Sequence, residues 1–343
     1  MSPYWGKDFI LFFVTLVGRL KLAFQGDLGW NELATDEIQV LVLVFIAGSS
    51  AIIGTFLVLR RMTMLANSLS HTILLGIIVT FLIVKQSGGA PQALDFKSLM
   101  IAALITAFLT TFVTEWLHKG LKLQEDASIG LVFTTFFALG IVGVTLFAKN
   151  AHLGVESIMG NVDALHLHDL KLAFFLFLLN SCLIFIFYSR YALITFDPIL
   201  ARNFGAFVLL FNHLLMLQAA ATAIGAFRAV GVFLFLAFLV VPVLTARFFT
   251  KRLKPLLFCA FLVGGVASLV SVALSRHLLT EYQVAVSTAG LTTMVLGAFF
   301  LIGILSRGVI SSARKSKVNH HERETDSPTG EHGLHRGEYP QSR

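Results

Sequence analysis

Nine stretches without a charged side chain run through this 343-residue chain and restrict it to a membrane protein. An α-helix crosses the apolar core of a bilayer in about 20 residues, and each stretch approaches or exceeds that length. None alternates apolar with polar residues, as the strands of a membrane barrel do. Because helices are the other backbone that satisfies its own hydrogen bonds in lipid, the sequence predicts an all-α polytopic protein with about nine transmembrane helices. The stretches are Ile38–Leu59, Ser68–Val84, Ser98–Thr114, Ala127–Ala148, Leu172–Ser189, Asn203–Phe227, Ala229–Ala246, Pro255–Ser275 and Tyr282–Ser306.

Charged residues make up only 13% of the chain, against about 25% in soluble domains, and their placement divides the chain into three regions. Residues 1–37 form an N-terminal segment. Its apolar run, Phe9–Gly18, is short for a bilayer crossing and favours a helix that lies in the membrane interface. The alternatives are an uncleaved signal-like segment and a tenth transmembrane helix whose cations reach the interface. Residues 38–306 form the transmembrane domain. Residues 307–343 have too few apolar side chains to bury a core, which predicts a disordered cytoplasmic tail.

The distribution of Lys and Arg predicts how the chain is oriented. With nine crossings, most of these residues fall on the side that carries the tail, Arg60 and Arg61 among them. Because basic loops stay in the cytoplasm, we expect the C-terminus to be cytoplasmic and the residues before Ile38 to be external. The isoelectric point of about 9.5 then reflects membrane topology. No basic patch alternates with aromatic residues, so the sequence does not indicate nucleic-acid binding.

Several motifs of energy-converting and hydrolytic enzymes are absent from the sequence. The only Gly-Lys pair, Gly6-Lys7, lacks the glycine that a phosphate-binding loop requires five residues before the second glycine. There is no Gly-x-Ser-x-Gly elbow, and the residues after His321-Glu322 do not complete a His-Glu-x-x-His zinc motif. The chain is therefore predicted not to be an enzyme, and uphill transport would need an ion gradient or a separate ATPase.

Four segments with polar or glycine-bearing patterns border the apolar stretches in a fixed order. They are Arg60-Arg61-Met62 through Leu69-Ser70-His71 to Leu74-Leu75-Gly76; Glu125-Asp126-Ala127-Ser128-Ile129-Gly130; Phe196-Asp197-Pro198 with Ala201 and Gly205; and Val230-Gly231-Val232 through Val240-Val241-Pro242 to Arg247. Over about residues 38–306 these segments resemble the membrane permease of metal-ion ABC importers of the ABC-3 type. Members of that family serve the uptake of zinc, manganese and iron.

The resemblance implies a type II ABC-importer-like permease in the bacterial cytoplasmic (inner) membrane. It implies a divalent metal ion (Mn, Zn or Fe) as cargo and no cofactor bound by this chain. Its partners would be an ABC ATPase subunit that uses the ATP, an extracytoplasmic metal-binding protein, and a second permease subunit, identical or different, all in contact with membrane lipid. One alternative is a permease for a metal chelate or a corrinoid, which needs a wider pathway. Another is a gradient-driven metal transporter, which would more naturally carry acidic groups inside its helices.

Two groups of residues carry the predicted roles. His71 follows Asn67 by four residues, which places both side chains on one helix face, and the family pattern has an aspartate at the position of Asn67. Imidazole and carboxylate suit divalent ions, so this pair is a candidate metal contact in the translocation pathway. The resemblance assigns Phe196, Asp197, Pro198, Ala201 and Gly205 to the segment that couples to the ATPase. Asp197-Pro198 also favours a helix start.

The remaining histidines have weaker patterns. His166 and His168, with Asp163 and Asp169 nearby, lie in a predicted external loop and are candidates to receive metal at the external mouth; a hydrated rim is the alternative interpretation. His213 lies in the sixth apolar stretch and is interpreted as structural. The tail histidines indicate either metal binding or a polar tail; they are His320, His321, His332 and His335.

Overall fold

The computed structural model describes the backbone of residues 3, 4, 6, 9–25, 29, 32–86, 96–147, 160–205 and 207–325. Within these ranges it describes the side chains except at positions 23, 24, 65–67, 69, 70, 73, 96, 97, 99, 100, 103, 125, 228 and 308–325. All structural statements below concern these residues.

The described residues form eleven α-helices and one 3-10 turn, with no strand. The helices are α1 Phe9–Gln25, α2 Thr35–Leu59, α3 Thr63–Gln86, α4 Phe96–Gly120, α5 Glu125–Phe147, α6 Leu167–Ile186, α7 Tyr188–Phe196, α8 Pro198–Asn203, α9 Val208–Phe249, α10 Leu253–Tyr282 and α11 Thr288–Thr325; the 3-10 turn is Val162–Ala164.

Seven segments are long and apolar enough to cross a membrane, which confirms the prediction of an all-α polytopic protein. They are Thr35–Leu59, Asp126–Phe147, Leu167–Ile186, Val208–Phe227, Ala229–Phe249, Leu253–Tyr282 and Thr288–Arg307. The other two predicted spans fall in α3 and α4, which are 24 and 25 residues long. At 1.5 Å per residue each would reach about 36 Å, enough for the bilayer core. The predicted number of nine is thus an approximate count.

Helix α2 forms the centre of the bundle and packs against α6, α9 and α10. In its membrane-spanning window 78% of the residues are buried, against 17% in α5. Glycines allow the close approach: a Cβ on Gly54 would stand 2.0 Å from the carbonyl oxygen of Leu239 in α9, and one on Gly48 would meet the rings of Phe177 and Phe261 within 2.8 Å. Small residues play this role in membranes because dispersion contacts between backbones replace the hydrophobic effect.

Helix α9 is interrupted at Gly231. This residue has φ 77° and ψ 168°, far from helical values, and a left-handed φ is open to glycine without strain. The two arms, Val208–Phe227 and Ala229–Phe249, each qualify as a membrane span. The sequence predicts the same two spans with Arg228 between them, and the structure places the change of direction three residues later.

The contacts of α9 show that its two arms run along α2 in opposite directions. Val208 lines the same cavity as Arg60, at the C-terminal end of α2. Gly160, which meets the backbone of Gly231, lies two residues before the carbonyl group that Gln39 binds near the N-terminal end of α2. α9 therefore ascends from one end of α2 to the other and returns.

Helices α3, α4 and α5 form a second layer. Cβ atoms added at Gly140 and Gly143 of α5 would meet Leu75 and Ile78 of α3 at 3.0–3.2 Å. On the other side of α3, the Thr110 hydroxyl donates to the Thr72 hydroxyl at 3.2 Å. Because only 17% of the spanning window of α5 is buried, this layer lies at the periphery of the described chain.

The two ends of the bundle differ in charge, and we name them accordingly. The basic end carries the cavity lined by Arg60, Arg61, Lys119 and Arg202. The opposite end carries Asp36, Gln39, Asp163, Arg276 and Thr288, which are joined by the contacts described below.

The N-terminal and C-terminal regions were predicted as an interfacial helix and a disordered tail. Helix α1 has 17 residues, with Phe12 and Leu16 buried and Ile10 and Val14 exposed. This two-sided character agrees with an interfacial helix, which stays a prediction. Helix α11 carries helical backbone beyond Arg307 to Thr325, and residues 326–343 lie outside the described part; the tail also stays a prediction.

Candidate functional site

The predicted coupling segment folds into a short helix with a defined start. The Asp197 carboxylate accepts hydrogen bonds from the backbone N–H groups of Ile199 at 3.1 Å and Leu200 at 2.8 Å. Pro198 occupies the first helical position, where its fixed φ suits the helix and its missing N–H costs nothing. The prediction that Asp197-Pro198 starts a helix is confirmed.

Helix α8 is anchored on one face and presents apolar side chains on the other. Ala201 is fully buried, whereas Phe196, Ile199 and Phe204 are 64%, 73% and 68% exposed. Gly205 ends the segment with φ +70°. These apolar side chains lie outside the segments that are long and apolar enough to cross a membrane, and water disfavours such exposure. Ile199 and Phe204 were not among the predicted residues; their apolar character within a charged loop was the available signal.

A cavity of about 760 Å³ lies at the basic end, beside α8. Its wall combines the ends of α2, α4, α7 and α8 with the start of α9. The Thr114 hydroxyl and the Asn212 carbonyl oxygen are buried in this wall without a hydrogen-bond partner among the described residues. The charged and imidazole-bearing lining residues are Arg60, Arg61, Glu115, His118, Lys119 and Arg202.

His71 lies between α3 and α5, where two phenylalanines surround it. Its ring centre is 5.4 Å from that of Phe133 and 5.5 Å from that of Phe137, and the side chain is half-buried. Asn67 belongs to the same helix, but its side chain lies outside the described residues. Among the described residues no three His, Cys, Asp or Glu side chains gather into a group that could hold a metal ion. His71 thus offers a single imidazole here, so a bound ion would need ligands from elsewhere.

Among the residues near the predicted external mouth, the histidines are exposed and the carboxylates form hydrogen bonds. His166 and His168 are both exposed. Asp169 accepts a hydrogen bond from the backbone N–H of His166 at 3.0 Å and so stabilises the start of α6. The Asp163 carboxylate accepts a hydrogen bond from Nε2 of the buried Gln39 at 2.9 Å, although Asp163 itself is exposed. The two carboxylates therefore have structural partners, and the role of the histidines as metal receivers stays a prediction.

The structure brings together one carboxylate–imidazole pair at the basic end that the sequence does not predict. Glu115 of α4 forms an ion pair with Lys119 and places its second carboxylate oxygen 3.6 Å from Nε2 of His213 in α9. From the sequence, His213 is interpreted as structural and Glu115 is not singled out. The two residues come together only through the packing of α4 on α9.

Comparison with known proteins gives a family match over most of the chain. The model of the ABC 3 transport family matches residues 37–307. A protein of Chlamydia trachomatis named "Probable metal transport system membrane protein" is 37% identical over 88% of this chain and 93% of its own length. The manganese transport system membrane protein MntD of Bacillus subtilis is 33% identical over 78% of this chain and 92% of its own length.

A solved structure shares the fold. The structure titled PsaBC from Streptococcus pneumoniae in complex with Fab matches with a TM-score of 0.65. The match covers 80% of this chain and 92% of that chain at 24% identity. At that identity the likeness concerns the arrangement of the helices.

Proposed function

Because the chain belongs to the ABC 3 transport family, we propose that it is the membrane permease of an ATP-binding-cassette importer for a divalent metal ion. The family match over residues 37–307 carries this proposal, and the names of the relatives point to manganese or a related metal. The chain would work in the bacterial cytoplasmic membrane, with a second permease subunit, identical or different, completing the pathway.

The energy would come from a separate ATPase subunit docked on α8. Two features support this role: the anchoring of α8 through the buried Ala201, and the apolar surface formed by Phe196, Ile199 and Phe204. A rigid, capped helix transmits a displacement of its partner better than a loop does. The assembly also requires the basic end to face the cytoplasm, in agreement with the positive-inside rule. The C-terminus would then be cytoplasmic.

The metal would arrive from an extracytoplasmic binding protein at the opposite end. His166 and His168 are exposed in that region and suit transient contact with a divalent ion. Inside the membrane, His71 would provide one ligand in the pathway, with Asn67 or the second permease supplying oxygen. Weak, incomplete coordination suits a transported ion, since a closed site would retain it.

The test is metal uptake into vesicles that contain this chain, its ATPase and a loaded binding protein. Mn²⁺, Zn²⁺ and Fe²⁺ are compared with and without ATP, for the wild type and for His71→Ala. His277→Ala, which removes a half-buried imidazole at the opposite end, is the matched control. We expect ATP-dependent uptake of one metal that falls at least about tenfold in His71→Ala and is unchanged in His277→Ala.

Each other outcome contradicts a specific part of the proposal. Uptake that is indifferent to ATP would exclude the ABC mechanism and favour a gradient-driven carrier. Uptake of a metal chelate in preference to the free ion would mean that the substrate is the chelate and not the divalent ion. ATP-dependent uptake that survives His71→Ala would retain the importer and remove His71 from the pathway.

A further inference from the structure

Glu115 and His213 face each other across the contact between α4 and α9. Their carboxylate and imidazole groups come within 3.6 Å, with side chains 21% and 14% exposed. His213 also packs on Phe108 of α4, at 5.7 Å between ring centres. Both side chains are thus held by packing rather than extended into solvent.

The hydrogen bond of His213 Nδ1 determines whether Nε2, the nitrogen that faces Glu115, carries a proton or a lone pair. His213 Nδ1 lies 2.9 Å from the backbone carbonyl oxygen of Leu209. A carbonyl oxygen only accepts, so Nδ1 carries the proton and donates it. In the neutral ring Nε2 then has a lone pair directed away from Leu209. Metal-binding histidines commonly have this arrangement, in which the outer N–H is held by a backbone carbonyl.

The distance between the two groups fits ligands of one ion better than a direct bond. A charge-assisted hydrogen bond from a protonated imidazole to a carboxylate would bring the atoms to about 2.8 Å, and 3.6 Å exceeds hydrogen-bond range. Two nitrogen and oxygen ligands about 2.1 Å from a tetrahedral ion stand about 3.4 Å apart. The observed separation is close to that value.

The surroundings of Glu115 already attract a cation and leave oxygen atoms unsatisfied. The Lys119 ammonium group forms an ion pair with the other oxygen of Glu115, one turn along α4. In the wall of the same cavity, the oxygens of Thr114 and Asn212 are buried without a hydrogen-bond partner in the described part of the chain. Such atoms cost about 1–3 kcal/mol each unless water or a cation meets them.

We propose that Glu115, which lines the basic-end cavity, and its neighbour His213 form a divalent transition-metal site. One carboxylate oxygen and one imidazole nitrogen bind the ion, and water from the cavity completes its coordination. In the absence of metal the Lys119 ammonium group partly neutralises the carboxylate and competes with the ion. Binding itself is independent of the proposed transport; the role of this site as the last contact before release to the cytoplasm rests on the proposed function.

Titration of the purified full-length chain with Co²⁺ in detergent tests the site, because the visible absorption of Co²⁺ reports nitrogen and oxygen ligands. Glu115→Gln and His213→Gln should weaken this binding by about tenfold or more. Lys119→Met should tighten it by about threefold, since it removes a competing positive charge that is partly screened by solvent. His277→Gln and Glu281→Gln, at the opposite end, are matched controls. His71 and the tail histidines are retained in every variant and contribute the same background.

Lys119→Met distinguishes a metal site from a purely structural ion pair, because only a metal site predicts a gain in Co²⁺ affinity when Lys119 is removed. If Co²⁺ affinity is unchanged in Glu115→Gln and His213→Gln, or does not rise in Lys119→Met, Glu115 only pairs with Lys119 and there is no metal site. Gel filtration checks that each variant folds. The titration contains no ATPase and no binding protein. Failed uptake with intact Co²⁺ binding would therefore overturn the transport function and leave the site, and the reverse result would do the opposite.

Discussion

Side chains from four segments meet at the opposite end of the bundle, whereas at the basic end a cavity separates the corresponding helix ends. Asp163 accepts hydrogen bonds from Gln39 at 2.9 Å and from Thr288 at 2.6 Å. Thr288 reaches Ser275 as well, at 3.1 Å. This network ties the 3-10 turn, α2, α10 and α11 together. The 760 Å³ cavity at the basic end has two polar wall atoms, in Thr114 and Asn212, without such partners among the described residues. His277 Nδ1 at the opposite end is also buried without a hydrogen-bond partner in the described part of the chain, so the contrast rests on the network at one end and the cavity at the other.

Buried charge is also distributed unequally between the two ends. Glu37 is 1% exposed, accepts a hydrogen bond from the Tyr4 hydroxyl at 2.7 Å and pairs with Arg19 of α1. Asp36, equally buried, pairs with Arg276 of α10. Burial, together with the bond to Glu37, raises the pKa of Tyr4, so this hydroxyl keeps its proton at any physiological pH. The first turn of α2 is therefore a junction for α1 and α10.

The difference indicates a division of labour within one bundle. Interactions that are fully paired stabilise the fold and resist rearrangement, whereas unpaired polar atoms and exposed apolar side chains are retained where a partner or ligand supplies the missing contact. Mutations at the opposite end should therefore lower stability. Mutations at the basic end should alter binding and leave stability nearly unchanged.

The largest loss of stability is expected for Glu37→Ala. The change leaves Arg19 partly buried without its carboxylate and deprives Tyr4 of its acceptor, and removal of one member of a buried pair costs about 3–5 kcal/mol. Thermal unfolding in detergent, followed by tryptophan fluorescence, would report the lower midpoint. Glu281→Ala, an exposed carboxylate at the same end, is the control. Equal midpoints for the two variants would show that the junction contributes little.

The next largest effect is expected at Gly160, where the loop before the 3-10 turn meets the reversal of α9. A Cβ on Gly160 would lie 2.1 Å from the backbone nitrogen of Gly231, and the residue has φ +60°. Gly160→Ala should cost about 2–3 kcal/mol through overpacking and backbone strain. Gly290→Ala is the matched control, because a Cβ there meets nothing within 4 Å; it should be neutral or stabilising.

The Gly160–Gly231 contact also illustrates what the sequence does and does not determine. Apolar length and charge are local properties, so the sequence predicts all seven segments that are long and apolar enough to span, the two arms of α9 among them. The exact position of a reversal depends on which remote backbone fits against it. Glycine is common in membrane helices, so Gly231 alone carries no mark of the turn.

The candidate site divides in the same way. Asp197-Pro198 is recognisable as a helix start because capping involves neighbours in the chain. The exposure of Ile199 depends on how α8 rotates about the buried Ala201, which the sequence leaves open. Glu115 and His213 come from different helices, and no sequence pattern around either residue predicts their contact. Pairwise chemistry between distant segments emerges only from packing.

A smaller effect is expected for Asp163→Ala and sharpens the account of the opposite end. Gln39 retains the Val162 carbonyl at 3.1 Å, and Thr288 retains Ser275, so each donor keeps one partner. We expect a loss of about 1–2 kcal/mol, the cost of hydrogen bonds to a charged acceptor when the donors are not orphaned. Asp163→Asn, which preserves one acceptor oxygen, should recover part of it in the same unfolding measurement. A loss as large as that of Glu37→Ala would mean that the network acts as one cooperative unit.

At the basic end the smallest change in stability should accompany a large change in binding. Ile199 is 73% exposed, so Ile199→Ser should alter the free energy of unfolding by less than about 0.5 kcal/mol. If α8 docks the ATPase, the same change removes an apolar anchor and should weaken association with the purified ATPase by about tenfold, since anchors in protein interfaces contribute 1–2 kcal/mol or more. Val284→Ser, at a half-exposed apolar residue of the opposite end, is the control for both measurements.

The combination of the two readouts is what distinguishes the ends. An Ile199→Ser protein that unfolds early would place α8 within the stabilising core, against the exposure of its apolar side chains. A protein of normal stability with unchanged ATPase association would mean that the surface of α8 serves another partner. Only normal stability with weakened association supports a basic end that is left incomplete because the ATPase completes it.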